Sequence, residues 1–188
     1  NIAGGTHHAF SDRAEAFCLL NDQAIAARYL QDQNLAQKIL IVDLDVHQGN
    51  GTAEIFQNDD SVFTFSMHGK GNYPFRKETS DLDIEIPDGT GDEAYLRQLK
   101  EVLPELIERT QPDFIFYLCG VDILETDKLG RLSCTIKGCK DRDRFVLQTC
   151  HDLQIPVECS MGGGYSKEIK YIIEAHANTY RAAQQIYF

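Results

Sequence analysis

The stretch KILIVDLDVHQGNGT, residues 38–52, sets Asp43, Asp45 and His47 on alternate positions directly after an apolar run. Burying two carboxylates and an imidazole without partners is costly. A metal ion would compensate them, and oxygen and imidazole donors without a thiolate suit zinc, ferrous iron, manganese or cobalt. Three other segments carry related groups: His7 and His8 adjoin in GGTHHAF, Asp122 comes two residues after FIFYLCG, and GGGY at 162–165 ends on Tyr165. A catalytic zinc site typically takes three protein ligands and leaves a position open. Asp45, His47 and Asp122 would make such a set. Asp43, His7 and His8 would then support the ligands and move protons.

These groups need elements that bring them together. Short apolar, β-branched runs predict strands over 39–45, 62–67, 114–119 and 155–160, with a weaker one at 82–86. Helices are expected over 22–33 after an Asn21 cap, over 92–110, over 140–153 and over 166–186 from a Ser166 cap. Pro104 should kink or split the second of these. Strands alternating with helices imply one α/β domain over residues 1–188, a mostly parallel sheet with helices on both faces. Each unusual polar group then lies just past the carboxyl end of a strand, where open α/β sheets bind ligands. On a strand, Asp43, Asp45 and His47 would share one face, with Val42, Leu44 and Val46 on the other. Taken singly, each feature has a plainer reading as a cap, a turn or a loop pair; their common location favours a site. His68 reads as structural or as lining. His151 and His176 fall in helices away from that end.

Composition narrows the classes. The 188 residues carry a formal net charge of −11, which argues against a duplex-binding surface and suits cationic partners such as lysine-rich peptides or polyamines. No apolar run reaches the ~18 to 20 residues of a membrane span. Six cysteines without a C-x-x-C pair point to reduced thiols and an intracellular, cytoplasmic setting, or a nuclear one in a eukaryote. Cys134, Cys139, Cys150 and His151 are too irregularly spaced for a convincing structural zinc site. The chain opens without Met inside a motif, so a fragment is expected.

GGTHHAF, FCLLND, VDLDVHQGNGT, CGVDILETDKLGRL and MGGGYS, in this order, resemble the zinc-dependent histone deacetylases and their acetylpolyamine amidohydrolase relatives. HQGNG together with NYPFRKETSDLDIEIPDGTGDEAYL is most similar to the class IV and related bacterial branch. The resemblance implies the arginase–deacetylase three-layer fold with its N-terminal part missing, and one zinc on Asp45, His47 and Asp122. It implies removal of an acetyl or other acyl group from acyl-lysine or an acetylated amine. His8 would be the base toward water, His7 its electrostatic partner and proton donor, and Tyr165 the oxyanion donor. Gly163 and Gly164 would let their segment approach the acyl pocket. Phe17 would form one tunnel wall, and Tyr73 or Phe75 the other. A structural potassium is implied near the Asp43 carboxylate and the carbonyls of Asp45, His47, Ser66 and Met67.

Two departures matter. Asn50 stands where some branches carry Asp beside the base imidazole. An amide fixes the tautomer but supplies no charge, so Asn50→Asp is expected to move the acidic limb of the pH–rate profile upward. The family also carries about a hundred residues before the His pair, including outer strands and a rim carboxylate. Two rivals remain. A two-manganese ureohydrolase needs carboxylates where Gly49 and Leu124 stand, which excludes a bridging second metal. A non-catalytic acyl-lysine-binding scaffold is opposed by the intact residue set.

Overall fold

The computed structural model describes residues 4–188. Five strands, β1 (Ile39–Asp43), β2 (Val62–Gly69), β3 (Leu82–Ile86), β4 (Phe114–Leu118) and β5 (Val157–Ser160), pair entirely in parallel. Their order is β3-β2-β1-β4-β5. Strand β1 is central and buried at all five positions, because ILIV has an apolar layer to meet on each side. Leu40 and Val42 join Tyr95, Leu99, Leu103, Val146 and Ala175 of α3 (Asp92–Thr110), α4 (Ile136–Asp152) and α5 (Ile169–Tyr187). Ile39 and Ile41 turn the other way, onto Ala24 and Ala27 of α1 (Asp22–Asp32) and Phe56 of α2 (Asn50–Phe56). The period-2 alternation of a strand thus feeds two cores, giving the expected helix–sheet–helix layering.

Several boundaries differ from expectation. Strand β1 ends at Asp43, so Asp45 and His47 lie on the loop beyond it rather than on a strand face. Helix α3 runs unbroken through Pro104: the proline forfeits one hydrogen bond, and the buried Leu99, Leu103, Leu106 and Ile107 stripe holds the helix together. Helix α4 starts four residues early because the Thr135 side chain accepts from the Gly138 N–H as an N-cap. Helix α5 starts at Ile169; Ser166 does not cap it but bonds to Thr126 and bridges to Asp127. Helix α2 is short and escaped the periodicity reading altogether. Asn21 does cap α1, accepting from the Ala24 N–H at 3.0 Å.

Candidate active site

Past β1 the chain turns through a relay of backbone-to-carboxylate hydrogen bonds. The Asp45 N–H donates to Asp43 Oδ1 (3.1 Å) and the His47 N–H to Asp45 Oδ1 (3.0 Å). The Val46 N–H donates to Asp122 Oδ1 (3.0 Å), tying this loop to the segment after β4. The Gly163 N–H donates to Asp45 Oδ2 (2.8 Å), adding the segment after β5. Three strand exits are thereby stitched together through their own carboxylates. The alternate spacing reflects this turn, in which each Asp accepts from the residue two further on.

Asp45, His47 and Asp122 converge, all buried, with ligand atoms within 4.8 Å of one another. His47 Nδ1 lies 3.0 Å from Asp45 Oδ1 and 3.1 Å from Asp122 Oδ2. A neutral imidazole offers one N–H, so a proton there cannot serve both carboxylates. A tetrahedral ion bound at 2.0–2.1 Å needs its donors ~3.3 Å apart, close to this spacing. Among the described residues, the ion pairs of Asp45 and Asp122 run to imidazoles, not to Lys or Arg. Burial and the neighbouring Asp45 push Asp122 up to about 7. Burial opposes a charge on His47 as well, yet Asp122 and Asp45 raise it to about 10. Two carboxylates and an imidazole are thus gathered around one point, and the oxygen and nitrogen donor set fits a divalent cation such as zinc.

Beside this set stand the two imidazoles, their ring centroids 4.1 Å apart. His7 Nδ1 is 2.6 Å from Asp43 Oδ2, and His8 Nδ1 is 2.7 Å from Asn50 Oδ1. Burial disfavours a charged His7, but Asp43 and Asp45 outweigh it and lift His7 to about 9. Burial and the adjacent His7 depress His8 to about 3. The environment therefore favours the proton on His7 and disfavours it on His8, the separation that acid–base work requires. The Asn50 Nδ2 donates to Glu15 Oε1 at 2.8 Å, which leaves its Oδ1 to accept from His8 Nδ1–H and frees His8 Nε2 as the basic nitrogen.

The residues open onto a cavity of about 480 Å³. Phe17, Tyr73 and Phe75 all line it, with Phe17 and Phe75 exposed at 80% and 86% and the imidazoles buried. Tyr165 lines it too, 5.9 Å from the Phe17 ring by centroid, and burial together with Asp45 pushes its phenol up to about 12, keeping the hydroxyl protonated. Gly163 sits where a Cβ would meet Asp122 Oδ2 at 2.1 Å, so its bare backbone serves the carboxylates directly. Gly164 is not among the residues lining the cavity, and a Cβ there would meet Val121, Ile172 and His176 behind it.

His176 lies closer than its helix position suggested: a Cβ on Gly164 would sit 3.4 Å from its Nε2, behind the GGGY segment. His68 is buried away from the cavity, its Nδ1 3.0 Å from Ser66 Oγ. His151 is on the surface of α4. No disulfide joins the cysteines among the described residues. Two groups went unnoticed in the sequence. Glu15, in an unremarkable polar loop, carried no signal. Arg142, at 0% exposure, donates to the carbonyls of Leu44 (3.2 Å), Gly120 (2.7 Å) and Cys119 (3.2 Å), bracing the two ligand loops from below. An amphipathic helix ordinarily puts Arg outside, so nothing in the pattern marked it.

Known proteins share this arrangement of sequence and fold. A domain model described as the histone deacetylase domain matches residues 1–180. An uncharacterized protein of Picosynechococcus is 51% identical over the whole chain and 62% of its own length. Histone deacetylase 2 of Arabidopsis thaliana is 32% identical over 92% of the chain and 46% of its own length. The crystal structure of the HDA15 HD domain superposes with a TM-score of 0.78 at 30% identity, covering 97% of this chain and 55% of that one. That of an acetylpolyamine aminohydrolase from Burkholderia pseudomallei gives 0.81 at 26%, covering 98% and 54%. The chain spans about half the length of most of these relatives. Matched along nearly its whole length by that domain model, the chain belongs to the histone deacetylase family.

Proposed function

We propose that the site is a zinc-dependent amidohydrolase centre that removes an acetyl or other acyl group from acyl-lysine in histones or other proteins. The observation that carries this reading is the convergence of Asp45, His47 and Asp122 beside the adjoining His7 and His8 rings, whose Nδ1 atoms are held by Asp43 and Asn50. Asp45, His47 and Asp122 would hold the zinc, which when bound acidifies water and polarises an amide carbonyl. His8, with Nδ1 engaged by Asn50, takes a proton from the attacking water at Nε2. His7, charged and anchored to Asp43, balances the charge and returns a proton to the departing amine. The Tyr165 hydroxyl donates to the developing oxyanion. Phe17 and Phe75 flank the lysine stem and shed water from it.

The wider assignments follow the same reading. A structural potassium would lie near the Asp43 carboxylate and the carbonyls of Asp45, His47, Ser66 and Met67, where β1 and β2 set Asp43 beside Ser66. Cysteines that form no disulfide among the described residues suit a reducing, intracellular compartment. Among the described residues no helix is long and apolar enough to cross a membrane. Acetylated polyamines are the second substrate class, favoured by the net charge of −11 and by the superposition on an acetylpolyamine aminohydrolase.

The test is zinc content measured alongside turnover of a fluorogenic acetyl-lysine peptide and an acetylpolyamine. Stoichiometric zinc with turnover is expected, and Tyr165→Phe and His8→Ala should each lower kcat by roughly 10²- to 10³-fold without unfolding the protein. A folded protein that binds acyl peptide but neither zinc nor substrate turnover would return the scaffold reading.

A further inference from the structure

Resting on that reading, we propose that Glu15 is a positioning residue for the His8 base. The loop holding it is built for the purpose. Glu15 and Cys18 exchange both backbone hydrogen bonds, at 3.1 and 3.0 Å, around a turn in which Ala16 takes φ +50°. This turn aims the Glu15 carboxylate inward. Its Oε1 accepts from Asn50 Nδ2 at 2.8 Å and also from the Tyr73 hydroxyl. Asn50 Oδ1 faces His8, and the Tyr73 ring stands edge-on to His8 with centroids 5.1 Å apart. One carboxylate oxygen thus fixes two neighbours of the base.

The physical case turns on the symmetry of an amide. Asn50 is buried, and rotation by half a turn would present its NH2 to His8 in place of its oxygen. An NH2 there would demand a lone pair on Nδ1, which moves the ring proton to Nε2 and removes the base. A carboxylate on the far side accepts only, so it admits the NH2 and repels the oxygen. Glu15 therefore sets the amide, the amide sets the tautomer, and the tautomer leaves Nε2 free. An Asp at position 50 would instead face a second carboxylate, so Asn50→Asp introduces repulsion before it can strengthen the base.

The experiment is a substitution cycle on the full zinc-loaded protein, read by kcat and KM and by 15N chemical shifts of the His8 ring. Glu15→Ala should lower kcat by about 10-fold or more, leave KM nearly unchanged and shift His8 away from the Nδ1–H tautomer. Glu15→Gln keeps an acceptor oxygen and should stay within about threefold of wild type. Asn50→Asp should be impaired, and adding Glu15→Gln should restore it at least about tenfold, because the new amide donates to the new carboxylate. A purely structural Glu15 would not produce that reciprocal rescue. Wild-type kcat and unchanged His8 signals in folded Glu15→Ala, or Asn50→Asp that is indifferent to Glu15→Gln, overturns the proposal. Should Glu15→Ala fail to fold, the rescue arm decides alone. A wild-type protein without turnover defeats the proposed function instead, and the ring shifts still report on Glu15.

Discussion

At the scale of single residues, the site depends as much on missing atoms as on present ones. Gly163 donates its N–H to Asp45 Oδ2, and any Cβ there would press on both ligand carboxylates, at 2.1 Å from Asp122 and 3.0 Å from Asp45. Neither carboxylate can retreat, since Asp122 also accepts from Val46 and Asp45 from His47. Gly163→Ala should therefore weaken zinc binding by roughly 10- to 100-fold, the range seen when the support of metal ligands is disturbed. Gly91→Ala makes a fair comparison. Its Cβ would meet nothing closer than the Ser133 carbonyl at 3.6 Å, so it should bind zinc normally. Chelator competition on both variants decides, and equal affinity would remove Gly163 from the machinery. The histidines, acids and tyrosine were legible in the sequence because their types announce chemistry. Glu15 and Arg142 were not, because their roles depend on what the fold sets opposite them.

At the scale of elements, β1, β4 and α4 are joined by a buried ion pair. Arg142 Nε donates to Asp143 Oδ1 at 2.8 Å, while the Tyr117 and Thr179 hydroxyls, both at 2.6 Å, complete the carboxylate's partners. The guanidinium then spends its remaining donors on the carbonyls just before Asp45 and Asp122. The pair as a whole need not stabilise the fold relative to apolar residues, but half of it is expensive. Arg142→Met should cost about 3–5 kcal/mol, by leaving the buried Asp143 carboxylate without its guanidinium and three carbonyls unmet. Urea titration of the metal-free protein measures this, and a loss below 1 kcal/mol would show the pair to be dispensable. The sheet itself was readable from ILIV, VFTFSM and FIFYL because fully covered strands are apolar at every position. Element ends were less so. Thr135 and Ser166 look alike as caps, and tertiary contacts separate them: Asp92 holds Thr135 where it can accept from the Gly138 N–H, while Thr126 draws Ser166 away from α5.

At the scale of the whole molecule, stability should fall in mild acid, and one histidine lets the cause be isolated. His176 is buried on α5 with Nδ1 unpartnered among the described residues, pressed behind the segment that carries Gly163 and Tyr165. Burial, helped by the nearby Arg142 charge, lowers it from 6.5 to about 4. Because the folded-state value lies below the unfolded one, the unfolded chain binds the proton more readily. The contribution is complete above pH 6.5 and drains away as pH falls toward 4. Between pH 7.5 and 5 this one ring should account for about 2 kcal/mol of lost stability. His176→Gln cannot titrate, so the wild-type and variant unfolding free energies should diverge by that amount across the interval, with the wild type losing more. The metal-free protein is the right material, since bound zinc would add its own proton linkage. Parallel curves would mean that His176 finds a proton acceptor or water in the folded state, and that acid sensitivity resides elsewhere in the sheet's polar edge.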